Sequence, residues 1–186
     1  MNRNDKRLVE GCIKQKPRAQ KEFYDRFASK MLAVCYRYAR DMAEAEDMLQ
    51  EAFIKVFKRL KSYQFQGSLE GWVRRIVVNT SIDYLRKHKY KMKETHIDGS
   101  PAEELSTELI NTLDLEYLYQ LIQELPVGYR LVFNMYAIEG YSHAEIGEKL
   151  KISASTSRSQ YARARKILVN RIQSESMRES YQYNAI

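Results

Sequence analysis

Residues 142–168 read SHAEIGEKLKISASTSRSQYARARKIL, and the way this stretch divides decides the fold. Ser142 followed three residues later by Glu145 is a capping box, in which hydroxyl and carboxylate satisfy each other's orphan backbone amides at a helix start. The apolar period carries that helix only to about Leu150. Ile152 is then placed for a core, and Ser153 can cap a second helix starting at Ala154 or Ser155. Two helices joined by so short a turn make a helix-turn-helix, whose second member can enter a major groove. The second helix presents small hydroxyls, Gln and Arg, and no acid. Small side chains let a backbone approach DNA closely, and Arg and Gln read guanine and adenine edges. A helical hairpin packed on protein, with a solvated basic face, would share the pattern.

Upstream, Leu118, Leu121, Ile122, Leu125, Leu131, Val132, Met135 and Tyr136 recur at helical spacing, and Gly140 suits a helix stop. These segments predict a second domain over 113–173, followed by a polar tail, 174–186, that frays. Residues 91–112 lose the period and carry turn formers such as Asp98, Gly99 and Pro101, so they read as linker. Four further helical patterns precede it, at 4–15, after Pro17 to about 38, at 42–61 and at 69–87, and together they predict a first domain over 1–90. The expected fold class is all-α: two small helical domains joined by a flexible acidic linker, the C-terminal one a helix-turn-helix.

Charge follows the same division. The net charge is +7 and the pI about 9.3, which favours a polyanionic partner. Residues 63–93 carry seven Lys or Arg against Glu70 and Asp83, residues 94–124 carry eight acids and no Lys or Arg, and residues 151–171 return to six basic residues and no acid. This alternation points to two separate anion-binding surfaces. Cys12 and Cys35 form neither a metal spacing nor a disulfide framework and are expected as buried thiols. His88, His96 and His143 are scattered, and no acid, base and nucleophile converge, so neither a catalytic nor a metal site nor a cofactor is expected. No apolar run has signal or membrane-spanning length, and a reducing cytoplasm is the expected compartment.

Two surfaces of the first domain stand out. Arg75, Asn79, Ile82 and Arg86 fall on one stripe of the Trp72 helix, flanked by Arg74 and Lys87, and the aromatic loop of Tyr63 and Phe65 lies just before it. Aromatic rings beside Arg and Asn suit the bases and phosphates of a single strand. Phe65 and Trp72 fit a core position equally well. The preceding helix carries Asp47, Gln50, Glu51, Ile54, Lys55 and Lys58 beside or opposite its apolar face. Glu51 and Lys55 are spaced as an i,i+4 pair, and Ile54 among charged neighbours suggests a protein contact.

Three blocks in this order resemble the extracytoplasmic-function sigma factors of bacterial RNA polymerase. Ala45–Phe57 is similar to that family's polymerase-binding helix, and Trp72–Lys87 to its −10 element helix. The segments from Leu125-Pro126 through Glu139–Ser142 to Thr156 and Arg163–Arg165 resemble its −35 element helix-turn-helix. The resemblance implies a non-enzymatic initiation factor that binds core RNA polymerase and promoter DNA and takes no small-molecule substrate. Asp47, Gln50 and Glu51, with Ile54, Lys55 and Lys58 in the same helix, would bind the clamp helices of the polymerase's largest catalytic subunit. The loop Tyr63–Ser68 and Asn79 would capture a base flipped from the melted non-template strand, with Trp72, Arg74, Arg75, Arg86 and Lys87 along the helix. Arg158, Ser159, Ala162 and Arg163, with Ser157 and Lys166, would meet the −35 duplex. The acidic linker would thread the polymerase's basic RNA path.

Family members are commonly held inactive by an anti-sigma factor, often membrane-anchored. No further domain is expected after the second one, so any signal is expected to arrive through such a partner. The family often has Gly where Lys151 and Ser155 stand, so Lys151 is expected to close its helix in a left-handed conformation. Two other classes fit parts of the pattern. A helix-turn-helix repressor or activator would bind duplex alone and leave Asp47, Gln50 and Glu51 without a role. A recombinase with a helix-turn-helix tail would need a catalytic constellation.

Overall fold

The computed structural model describes residues 3–87 and 115–183, and every regular element among them is helical. The chain separates into two compact units, at about residue 89.

In the first unit α1 (Arg3–Ile13) turns through Gln15, at φ 54°, into α2 (Pro17–Tyr36). Pro17 occupies the first turn, where a missing N–H costs nothing. A Cβ on Gly11 would stand 2.7 Å from that of Ala19, so the close approach of α1 to α2 requires glycine there. The next helix, α3 (Met42–Arg59), is capped by Asp41, whose carboxylate accepts the Glu44 amide at 2.8 Å. The buried Glu44 carboxylate in turn accepts the Arg40 amide at 2.6 Å. A 3-10 turn over Leu60–Ser62 tightens the end of α3, which the sequence period carries on to 61. After the loop, α4 (Leu69–Lys87) starts where Ser68 accepts the Gly71 amide at 3.1 Å.

The core of this unit is Phe23, Phe27 and Met31 of α2 against Met48, Ala52 and Val56 of α3 and Val73, Val77 and Leu85 of α4. Cys12 and Cys35 are buried free thiols, and burial pushes both pKa values to about 11, so they stay protonated and unreactive at neutral pH.

The second unit comprises α5 (Leu115–Gln123), α6 (Val127–Phe133), a π turn over Asn134–Ile138, α7 (His143–Leu150) and α8 (Ala154–Tyr183). Leu121, Ile122 and Leu125 pack with Tyr129 on Ala164, Leu168 and Ile172 of α8. Buried Arg130 donates to the Gln123 carbonyl at 2.7 Å and to its side-chain Oε1 at 2.8 Å, and Arg171 pairs with Glu124. Gly140, at φ 74°, ends the α6 and π-turn segment as expected, with the Tyr141 amide returning to the Met135 carbonyl at 2.9 Å.

Two features depart from the sequence expectations. The backbone widens into a π turn at 134–138, which apolar periodicity does not report. And α8 continues to Tyr183, ten residues past the expected end at 173, because residues 174–183 hold no Gly or Pro to break the ladder. The acidic linker, 91–112, lies outside the described residues.

Lys151 closes α7 at φ 58°, ψ 44°. A side chain in this left-handed region costs about 1 kcal/mol, which glycine avoids. Lys151→Gly should therefore raise the thermal midpoint of the second unit by a few degrees in a melt followed by far-UV circular dichroism. An equal or lower midpoint would show that the Lys151 side chain makes up the cost. Ser155 sits inside α8 without positive φ, so glycine is not needed there.

Candidate nucleic-acid interface

The turn between α7 and α8 is built as the sequence suggests. Ser142 and Glu145 form the reciprocal box, with the Ser142 amide donating to Glu145 Oε2 at 2.8 Å. Ser153 Oγ accepts the Thr156 amide at 2.9 Å and so caps α8. Gly147, which sequence reasoning passed over, makes the tight turn possible, since a Cβ there would stand 2.8 Å from the Ile152 carbonyl oxygen. Glycine inside an eight-residue helix costs about 1 kcal/mol against alanine, and that cost was the available signal for a close backbone approach.

Along α8, Ser155, Arg158, Ser159, Ala162 and Lys166 are exposed at steps of three and four, with Arg163 half-buried at their edge. No acid interrupts the helix from Ala154 to Arg171. This is a basic face of small side chains, a chemistry compatible with a duplex backbone and base edges. Two expectations are corrected. Ser157 is 0% exposed, and its hydroxyl meets His143 Nδ1 at 2.9 Å, so it cannot reach DNA. Gln160, 4% exposed, also points into the unit and is no base reader. Both lie on the buried side of α8, turned around the helix axis from the exposed stripe.

In the first unit the loop between α3 and α4 is held by Tyr63. Its hydroxyl donates to the Gly67 carbonyl at 3.1 Å, and its ring meets Phe65 at 4.9 Å and Trp72 at 5.3 Å between centroids. Tyr63 is buried, which corrects its expected role as a DNA contact: it braces the loop from inside. Phe65, at φ 57°, and Trp72 are half-buried, each packed on Tyr63 and each with surface left over. Arg75, Arg86 and Lys87 are exposed, and Arg74 and Asn79 half-buried, whereas Ile82 leaves the expected stripe for the core.

On α3, Asp47, Gln50 and Lys58 are exposed, Glu51 and Lys55 are half-buried, and Ile54 keeps 54% of its surface in solvent. The expected Glu51–Lys55 pair gives way to pairs across to α4. Glu51 meets Lys87 at 3.7 Å and Lys55 meets Asp83 at 3.8 Å, while Arg86 also reaches Asp83 at 3.5 Å. The Tyr84 hydroxyl bonds to Asp47, and burial first, then the carboxylates of Asp47, Glu44 and Glu51, raise its pKa above the ordinary tyrosine value. One seam thus joins the carboxylates of α3 to the basic end of α4. Such half-exposed pairs are worth at most about 1 kcal/mol each, so they yield readily to a stronger partner.

Among the described residues no group of three metal-ligating side chains converges, and no helix is long and apolar enough to cross a membrane.

Comparison with known proteins bears on both units. Residues 23–90 match the family model of sigma-70 region 2, and residues 115–168 that of sigma-70 region 4. The chain is 30% identical over 182 residues to the ECF RNA polymerase sigma factor SigW of Bacillus subtilis, covering 87% of this chain and 95% of that one. It is 32% identical over 153 residues to the ECF RNA polymerase sigma factor SigE of Mycolicibacterium smegmatis, covering 79% of this chain and 59% of that longer relative. A solved structure of the sigma factor RpoE of Bartonella quintana, in complex with the anti-sigma factor NepR, is similar at a TM-score of 0.49 and 18% identity, covering 83% of this chain and 96% of that one.

Proposed function

Belonging to the extracytoplasmic-function family of RNA polymerase sigma factors, the chain acts in promoter-specific transcription initiation with RNA polymerase, and we propose that it does so through three surfaces. The exposed face of α3, with Asp47, Gln50, Glu51 and Ile54 at its centre and Lys55 and Lys58 beside them, docks on core polymerase. Phe65, Trp72 and Asn79 receive a base extruded from the −10 non-template strand, while Arg74, Arg75, Arg86 and Lys87 track its phosphates. Extrusion costs a few kcal/mol, and a site that binds only the flipped base offsets it, which traps the melted state. On α8, Arg158, Ser159, Ala162, Arg163 and Lys166 meet the −35 major groove.

The observation that carries this reading is the seam on the first unit. A solvent-exposed Ile54 among carboxylates lies beside a basic, aromatic single-strand surface, in a chain that also holds a duplex-reading helix-turn-helix. A repressor or activator would have no use for that seam. The reading assigns the chain no catalysis of its own and places it in the cytoplasm with the polymerase. An anti-sigma protein belongs to the proposal as the partner that covers the α3 face when transcription is not required.

Run-off transcription with core polymerase and a promoter library tests the proposal. Added chain should yield discrete transcripts sharing one −10 and one −35 sequence. Arg163→Ala should weaken the −35 preference by about 1–3 kcal/mol, the worth of a good base contact. Transcript output independent of the chain would refute the reading.

A further inference from the structure

We infer that His143 is the positioning residue of the helix-turn-helix: its hydrogen bond to Ser157, clamped by a ring stack on Tyr136, sets the rotation at which α8 presents its reading face. The inference rests on the proposed −35 role of α8. His143 is the first residue of α7, and Ser157 lies in the first turn of α8. The bond between them, 2.9 Å from Nδ1 to Oγ, crosses the angle of the motif. Ser157 is wholly buried, and a buried hydroxyl is costly to leave unpaired, so the bond selects the rotation of α8 that keeps it. Arg158 and Ser159 follow directly in the chain. A helix turns about 100° per residue, so whatever fixes Ser157 inward fixes those two outward.

The ring itself is held. Its plane lies 8° from that of Tyr136, with centroids 4.2 Å apart, and Tyr161 of α8 closes on Tyr136 at 4.6 Å and on His143 at 6.0 Å. Tyr136 comes from the π turn, a rare widening of the helix that recurs at functional sites and here carries the stacking partner. Three elements therefore meet at one imidazole.

The groups facing that imidazole are the Tyr136 phenol from the π turn and the Arg158 guanidinium and Tyr161 phenol from α8. On its own helix, the Glu145 carboxylate is already engaged by Ser142. Burial, and then Arg158, lower the proton affinity of His143 below that of an ordinary histidine, so the joint is neutral at pH 7. Protonation would set a positive charge against Arg158 and at the positive end of the α7 dipole. Because the folded pKa lies below the unfolded one, the contribution of the joint is complete above about pH 6.5 and is lost as pH falls through the folded value.

The test uses the full chain with core polymerase and a promoter duplex recovered from the library, compared with the same duplex carrying a scrambled −35 element. The ratio of the two affinities is the readout, since added positive charge strengthens binding to any duplex. His143→Phe keeps a ring but no hydrogen bond, His143→Asn keeps a hydrogen-bonding group but no ring, and Ser157→Ala removes the other partner. The expected result is a loss of about tenfold in the ratio for His143→Phe and for Ser157→Ala, with the double variant no worse than either single one. His143→Asn should retain more discrimination than His143→Phe. The parent should lose discrimination progressively as pH is lowered below about 6.5, where His143→Asn does not. If Phe serves as well as His and Asn serves worst, or if the two losses add, the residue only fills space and the inference is overturned. A parent holoenzyme indifferent to the −35 sequence would overturn the reading of α8 itself, and the joint with it.

Discussion

Combining Gln50→Ala with Glu51→Lys should weaken the affinity of the chain for core polymerase about a hundredfold or more while leaving the first unit folded. Gln50 is exposed and Glu51 half-buried, on a face of α3 whose apolar member Ile54 keeps 54% of its surface in solvent. Truncating Gln50 removes a hydrogen-bonding group from the centre of the proposed contact. Reversing the charge at Glu51 sets a cation where the partner expects a carboxylate, and like charges brought together across an interface cost several kcal/mol.

Within the free chain the cost is small. The only ion pair Glu51 forms among the described residues is with Lys87 at 3.7 Å, at a half-exposed site where such a pair contributes at most about 1 kcal/mol. Circular dichroism should show unchanged helix content, and the titration against core polymerase should show the loss. Retention of parental affinity would remove α3 from the polymerase interface.

Phe23→Ala should destabilise the first unit by about 3–5 kcal/mol, the usual cost of a deleted core ring with its residual cavity. Phe23 is 0% exposed and meets Phe27 at 4.9 Å and Phe57 of α3 at 5.6 Å between ring centroids, so its ring ties α2 to α3. The chain contains one tryptophan, Trp72, and it lies in this unit, so its fluorescence reports the first unit alone. The urea midpoint read at Trp72 should fall by about 1–5 M, taking a slope of about 1–3 kcal/mol/M for a small domain. A midpoint unmoved within a few tenths of that value would mean that the α2 and α3 contact does not carry the unit. Promoter melting should fail with it, because Phe65, Trp72 and Asn79 are held in place by the same bundle.

Much of this architecture is legible residue by residue. Pro17, the Ser142 and Glu145 box, Ser153 and Gly140 each mark a helix end by chemistry confined to a few neighbours, and each does so in the structure. The left-handed Lys151, at φ 58°, stands where the family that the sequence resembles often has Gly. Where the reading failed, the cause lay in contacts far along the chain. Glu51 and Lys55 are correctly spaced for each other, yet α4 passes close enough for Lys87 and Asp83 to take them. Tyr63 is aromatic and in a loop, as a stacking platform would be. The fold of that loop back over Gly67 turns it inward, leaving Phe65 and Trp72 with free surface.

The amino-acid order alone determined that the chain is helical, that it divides into two units, and that the second holds a helix-turn-helix. These depend on period, caps and breakers, which act over one or two helical turns. Only the tertiary structure decided which serine of the reading helix faces outward, that His143 holds Ser157, and that the carboxylates of α3 rest against the basic end of α4. Those outcomes depend on the angle and rotation at which helices cross. That is set by the whole packed core, and no local run of residues encodes it.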